Sequence, residues 1–98
     1  MKKDIYFTIT GTNYRYGMEF MEPGMKVRLK KEPDNAYDKE AIMVTMKGIG
    51  QVGYVANSTR TVLGECMSAG RIYDRIGKKA TGRIVHKLPQ GVICRLES

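Results

Sequence analysis

Four groups of residues in the 98-residue chain have types and spacing that could do chemistry. Carboxylates gather at Glu32, Asp34, Asp38 and Glu40, where they could hold a divalent cation or cap backbone N–H groups. The turn-rich run Glu32-Pro33-Asp34-Asn35-Ala36-Tyr37-Asp38 favours capping, and its spacing fits no calcium loop. Cys66, Cys94 and His86 make up the soft-ligand inventory, scattered singly where a structural zinc needs four ligands in close pairs. Neither a metal, a disulfide framework nor any other cofactor is expected. Both cysteines sit among apolar neighbours and read as small buried hydrophobes; His86, beside Lys87, reads as a surface residue. Gly48-Ile49-Gly50-Gln51-Val52-Gly53 matches the spacing of a dinucleotide-binding fingerprint. That motif must open a helix, whereas here it runs into strand-like Tyr54-Val55-Ala56, so a glycine-rich hairpin is expected. No nucleophile and base can be paired by spacing, and the chain is not expected to be an enzyme. Tyr14, Arg15 and Tyr16 form the fourth group: aromatic faces and a cation suited to stacking on unpaired bases. They fit equally well as one tyrosine capping the core and one lying on the surface.

The elements that must position these residues are mostly strands. Ile5, Phe7 and Ile9 alternate with Tyr6, Thr8 and Thr10; Met25, Val27 and Leu29 alternate with Lys26, Arg28 and Lys30, a strand with a basic outer face. Ala41 to Met46, Gln51 to Ala56, Thr81 to Lys87 and Gly91 to Glu97 supply further strands. After Asn57 or Ser58 as cap, Val62, Leu63, Cys66 and Met67 recur at helical spacing, predicting a helix that Gly70 ends and Gly64 weakens. Five or six short strands with one or two short helices predict a mostly-β single domain over residues 1–98, a small barrel or a sheet with a helix.

Apolar residues make up 42% of the chain and mean hydropathy is −0.38, ordinary globular values. No apolar run approaches the roughly 18 residues of a membrane span, and Met1-Lys2-Lys3-Asp4 leads into alternation rather than the apolar run of a secretory signal. A cytoplasmic protein without a membrane partner is expected. The net charge of +7 is uneven: residues 1–70 hold ten Lys/Arg against eight Asp/Glu, residues 71–98 seven against two. Such a region attracts polyanions, and charge alone does not separate nucleic acid from an acidic protein.

Taken together, Gly11-Thr12-Asn13-Tyr14-Arg15-Tyr16-Gly17, the run from Val27 to Val44 with its E-P-D-N-A-Y-D-K-E-A-I core, and Gly50-Gln51-Val52-Gly53-Tyr54-Val55 resemble the HIRAN domain family over about residues 5–70. The resemblance implies an OB-like small β-barrel that binds single-stranded DNA at a free 3′-hydroxyl end. It implies that Tyr14 stacks a base, and that Asn35 and Asp38 meet the terminal sugar. A carboxylate there accepts from a hydroxyl and repels a 3′-phosphate. Tyr37 reads as structural. Three positions depart from the family pattern: Arg15 replaces a second tyrosine, Tyr54 a polar residue or histidine, and Asn57 a basic residue. The expected interface is Tyr14, Arg15, Asn35, Asp38 and Tyr54, with Arg15, Lys30, Arg83 and Lys87 on phosphates, and RNA remains a competing ligand. The alternative is an adaptor that keeps the barrel without the end pocket and docks a protein of a DNA repair or remodelling complex.

Overall fold

The computed structural model describes residues 4–97, the side chain of Tyr14 excepted. Among these residues six strands follow one another: β1 Tyr6–Thr10, β2 Lys26–Lys31, β3 Ile42–Met46, β4 Gly50–Val55, β5 Lys79–Leu88 and β6 Gly91–Leu96. Alternation of apolar and polar side chains sends one face of each inward. In β2, Val27 and Leu29 are buried while Lys26, Arg28 and Lys30 face out; in β1, Phe7 and Ile9 are fully buried. Every pairing is antiparallel and the order β1-β4-β3-β2-β5-β6 closes on itself, a barrel consistent with the OB-like architecture. Phe7, Ile9, Leu29, Ile42, Val52 and Ile84 fill it.

Glycine is required where backbones meet. A Cβ on Gly53 would lie 2.5 Å from the Thr10 carbonyl oxygen, so only glycine lets β4 cross β1 this closely beside Tyr54. The glycine-rich run is a β3–β4 hairpin, as its composition suggests: Gly48 and Gly50 take φ of 82° and 97°, conformations that turn the chain back rather than open a helix.

The helix expected from Asn57 or Ser58 to Gly70 does not form. Ser58 starts a single turn, its carbonyl accepting from Thr61 and Val62 N–H, and the chain then leaves the helical path. Leu63 N–H donates to Thr8 Oγ1 at 3.1 Å, Met67 N–H donates to the Tyr6 carbonyl at 2.8 Å, and Gly64 adopts φ 54°. Hydrogen bonds to β1 thus replace i→i−4 bonds, and the apolar spacing serves a plug over the barrel rather than a helix face. Cys66, expected on that helix, is buried in this irregular segment; Cys94 is buried on β6. Among the described residues the one α-helix, α1, spans Ala69–Tyr73 with Ser68 as N-cap, so Gly70 lies inside it rather than ending it. A 3-10 turn, η1, covers Thr12–Tyr14 and packs on β4.

Candidate nucleic-acid interface

The loop between β2 and β3 is built by its own side chains. Asn35 Oδ1 accepts from the Tyr37 and Asp38 N–H groups at 2.9 and 3.0 Å, an Asx turn that fixes the next residues. Asn35 Nδ2 donates to Glu32 Oε1 at 3.2 Å, and Asp38 Oδ1 accepts from Glu40 N–H at 2.9 Å. Asp38 therefore caps a backbone N–H, as the composition of the turn suggests, whereas Glu32 accepts from a side-chain amide. Among the described residues no His, Cys, Asp and Glu side chains are grouped to hold a metal ion.

The ring of Tyr37 is free of the scaffold. Tyr37, expected to be structural, is 98% exposed; the Asx turn holds its backbone while its ring contributes nothing to the core. It stands at the lip of a cleft of about 580 Å³ lined by Asn35, Tyr37, Asp38, Tyr54, Asn57 and Thr61, among others. An exposed ring beside a carboxylate over such a cleft offers a flat face for a base and an acceptor for a hydroxyl.

Asn57 is a second site residue that sequence reasoning leaves out. Its Nδ2 donates to Asp38 Oδ2 at 2.9 Å and, more weakly, to Glu40 Oε1 at 3.5 Å. Its Oδ1 accepts from Gly70 N–H at 2.8 Å, tying the loop to the start of α1. Both Asp38 oxygens are thereby oriented, each with a second lone pair left to accept. The signal available beforehand was its position three residues beyond Tyr54, read as a departure from a family pattern rather than as a partner for Asp38.

Tyr54 stands on β4 between the cleft and a second groove. Its hydroxyl donates to Glu32 Oε1 at 2.7 Å. That bond to a carboxylate, helped by burial, raises the phenol pKa above the usual tyrosine value, while the Gln51 amide and the Arg15 guanidinium act in the opposite sense. Arg15, exposed at the end of η1, is thus close enough to Tyr54 to be felt electrostatically. The proposed stacking of Tyr14 falls on a side chain outside the described residues.

The four expected phosphate contacts separate. Lys30 lines the second groove, about 690 Å³, which also holds Lys31, Lys78 and Lys79 and shares Asn35 and Tyr54 with the cleft. Arg83 lies four residues along β5 from Lys79, about 13 Å away, and is engaged by Glu97 Oε2 at 3.2 Å and the Gly24 carbonyl at 3.0 Å. Lys87 lies still farther along and donates to the Glu19 carbonyl at 3.2 Å, with Glu22 at 3.5 Å. The structure does not bring Arg83 or Lys87 to the cleft. His86 is exposed, as expected.

The HIRAN domain family model matches residues 2–88. The crystal structure of the HIRAN domain of human HLTF is similar over 95% of this chain and 74% of that one, with a TM-score of 0.62 and 18% identity. A crystal structure of a Lactobacillus plantarum protein is similar over 98% of both chains, with a TM-score of 0.58 and 23% identity. At these identities the structural likeness is one of fold. Comparison with curated proteins gives no significant match.

Proposed function

The chain belongs to the HIRAN domain family of nucleic-acid-binding modules, and from that premise we propose that it binds single-stranded DNA at a free 3′-hydroxyl end without catalysing a reaction. The observation that carries this reading is the pairing of Asp38 with Tyr37 at one cleft: a carboxylate whose oxygens are fixed by Glu40 N–H and Asn57, beside an almost fully exposed ring. The terminal hydroxyl donates to Asp38, and the last base lies against Tyr37 or against the loop that carries Tyr14. Asn35, its oxygen spent on two backbone N–H groups, acts by holding the turn rather than by reading the sugar.

A 3′-phosphate brings negative charge against that carboxylate, so chemistry at the end of the strand is the discriminating probe. In fluorescence anisotropy at fixed salt, a 3′-hydroxyl oligonucleotide binds more tightly than its 3′-phosphate counterpart, by about tenfold for one charge-assisted hydrogen bond. Asp38→Ala removes the difference. Equal affinity for the two ends in the wild-type protein sinks the end-reading mechanism; no binding to either leaves the adaptor reading in its place.

A further inference from the structure

Lysines face one another across the β2–β5 ladder in a way that packing does not explain. The register places Lys30 opposite Lys79 and Lys26 opposite Arg83, and the Lys31 N–H donates to the Lys78 carbonyl at 3.0 Å, bringing a further pair of lysines side by side. Like charges directly opposed across strands destabilise a sheet. Among the described residues the ion pairs within 4.0 Å are Arg83–Glu97 and Lys87–Glu22, so Lys26, Arg28, Lys30, Lys78 and Lys79 have no carboxylate at that distance. Lys31 is held instead over the Tyr73 ring, 4.4 Å from its centroid. Glu32 and Asp34 border the same groove, but Glu32 already accepts from Tyr54 and Asn35.

Lys30, Lys31, Lys78 and Lys79, with Arg28 beyond them, line a continuous surface. The lysine groove meets the Asp38 cleft through Asn35 and Tyr54. At its other end it shares Lys30 and Lys79 with a third hollow, about 520 Å³, that runs over Arg28, Met43 and Thr81 on the barrel's outer face. Side chains on one face of a strand repeat every two residues, about 6.6–6.8 Å, so Arg28 and Lys30 stand as successive cations along a straight path. Arg83, farther along β5, is locked to Glu97.

We propose that this face is a backbone track: the strand whose 3′ end occupies the Asp38 cleft passes Tyr54 and runs 5′-ward over Lys30, Lys79 and Arg28, its phosphates neutralising the opposed lysines. The proposal rests on the end-binding reading for its polarity, while the track itself stands on the register and the charges. It makes the footprint several nucleotides rather than a terminal one, and makes affinity grow with strand length.

The test uses fluorescein-labelled oligothymidylates of about 2 to about 12 nucleotides, with 3′-hydroxyl and 3′-phosphate ends, over a salt series. Wild-type affinity rises with length. Lys30→Gln/Lys79→Gln weakens binding of the longest strand by about tenfold and flattens its log–log salt slope by about 1.4, at about 0.7 per lost cation. The shortest strand is nearly unaffected, and the hydroxyl preference remains. Lys47→Gln/Arg75→Gln, which removes equal charge from side chains outside the groove, has a smaller effect. Because the lysine pair is exposed and self-repelling, its loss does not lower the melting temperature, which separates lost binding from lost folding. A hydroxyl preference with no dependence on length or on the two lysines overturns the track and leaves the end pocket standing. Length dependence lost in the lysine variant without a hydroxyl preference keeps the track and overturns the end pocket. No binding at any length overturns both.

Discussion

Tyr37 stands at the lip of the cleft with its ring in solvent, held only through its backbone N–H. A side chain so placed can be removed without touching the core, and substitutions of that kind usually alter stability by no more than about 0.5 kcal/mol. Loss of a stacking ring costs about 1–3 kcal/mol of binding per base. Tyr37→Ala is therefore expected to melt like the wild-type protein while binding single-stranded DNA at least about fivefold more weakly; unchanged affinity would remove Tyr37 from the interface. Asn57 shows the limit of reading a site residue from sequence. Its bond to Asp38 spans 19 positions and its bond to Gly70 spans 13, distances at which no local pattern operates. Asp38 and Asn35 were legible because the whole turn lies in one short, distinctive run. Tyr37, in the same run, reads from the sequence as structural, because its exposure depends on the direction the Asx turn gives the chain.

Among the elements, the strands followed from alternation and the segment after β4 did not. Period-two patterning in β2 leaves one buried and one basic face whatever its neighbours are, so both survive in the fold. Val62, Leu63, Cys66 and Met67 have the spacing of a helix, yet the segment's N–H groups find acceptors on β1, and tertiary bonding decides the outcome. The two conformations give opposite signs for one substitution. In a helix, Gly64→Ala would stabilise by about 1 kcal/mol; at φ 54°, where a Cβ is strained, it destabilises by a similar amount. Chemical denaturation of this variant tests the segment directly, and a higher midpoint would contradict the plug. Ser68, the N-cap of α1, lies ten or eleven residues beyond the predicted Ser58 or Asn57, which shows how weak capping signals are when serine and asparagine are common nearby.

For the molecule as a whole, burial of Cys94 inside the barrel ties stability to alkaline pH. Desolvation, reinforced by the nearby Cys66, raises its thiol from 9.0 to about 12. Between those values the unfolded chain releases a proton that the folded chain retains, so the unfolded state binds fewer protons and stability falls as pH rises. The contribution is fully present below pH 9.0 and is lost by as much as about 1.4 kcal/mol per pH unit above it. Tyr54, also raised, adds to the same trend above its ordinary value of 10.0. Denaturation midpoints should decline with pH in this range, and less steeply in Cys94→Ala; parallel slopes would place the cause elsewhere. The barrel closes by pairing its first strand with its last, Tyr6 opposite Arg95 and the Leu96 N–H on the Ile5 carbonyl at 2.8 Å. The polypeptide consequently enters and leaves the domain at one spot, at the same end of the barrel as the β2–β3 loop but across the ring from β2 and β3. Such a unit behaves as a cassette: spliced into a surface loop of a larger protein, or circularly permuted through a short linker, it asks for little loop-closure entropy.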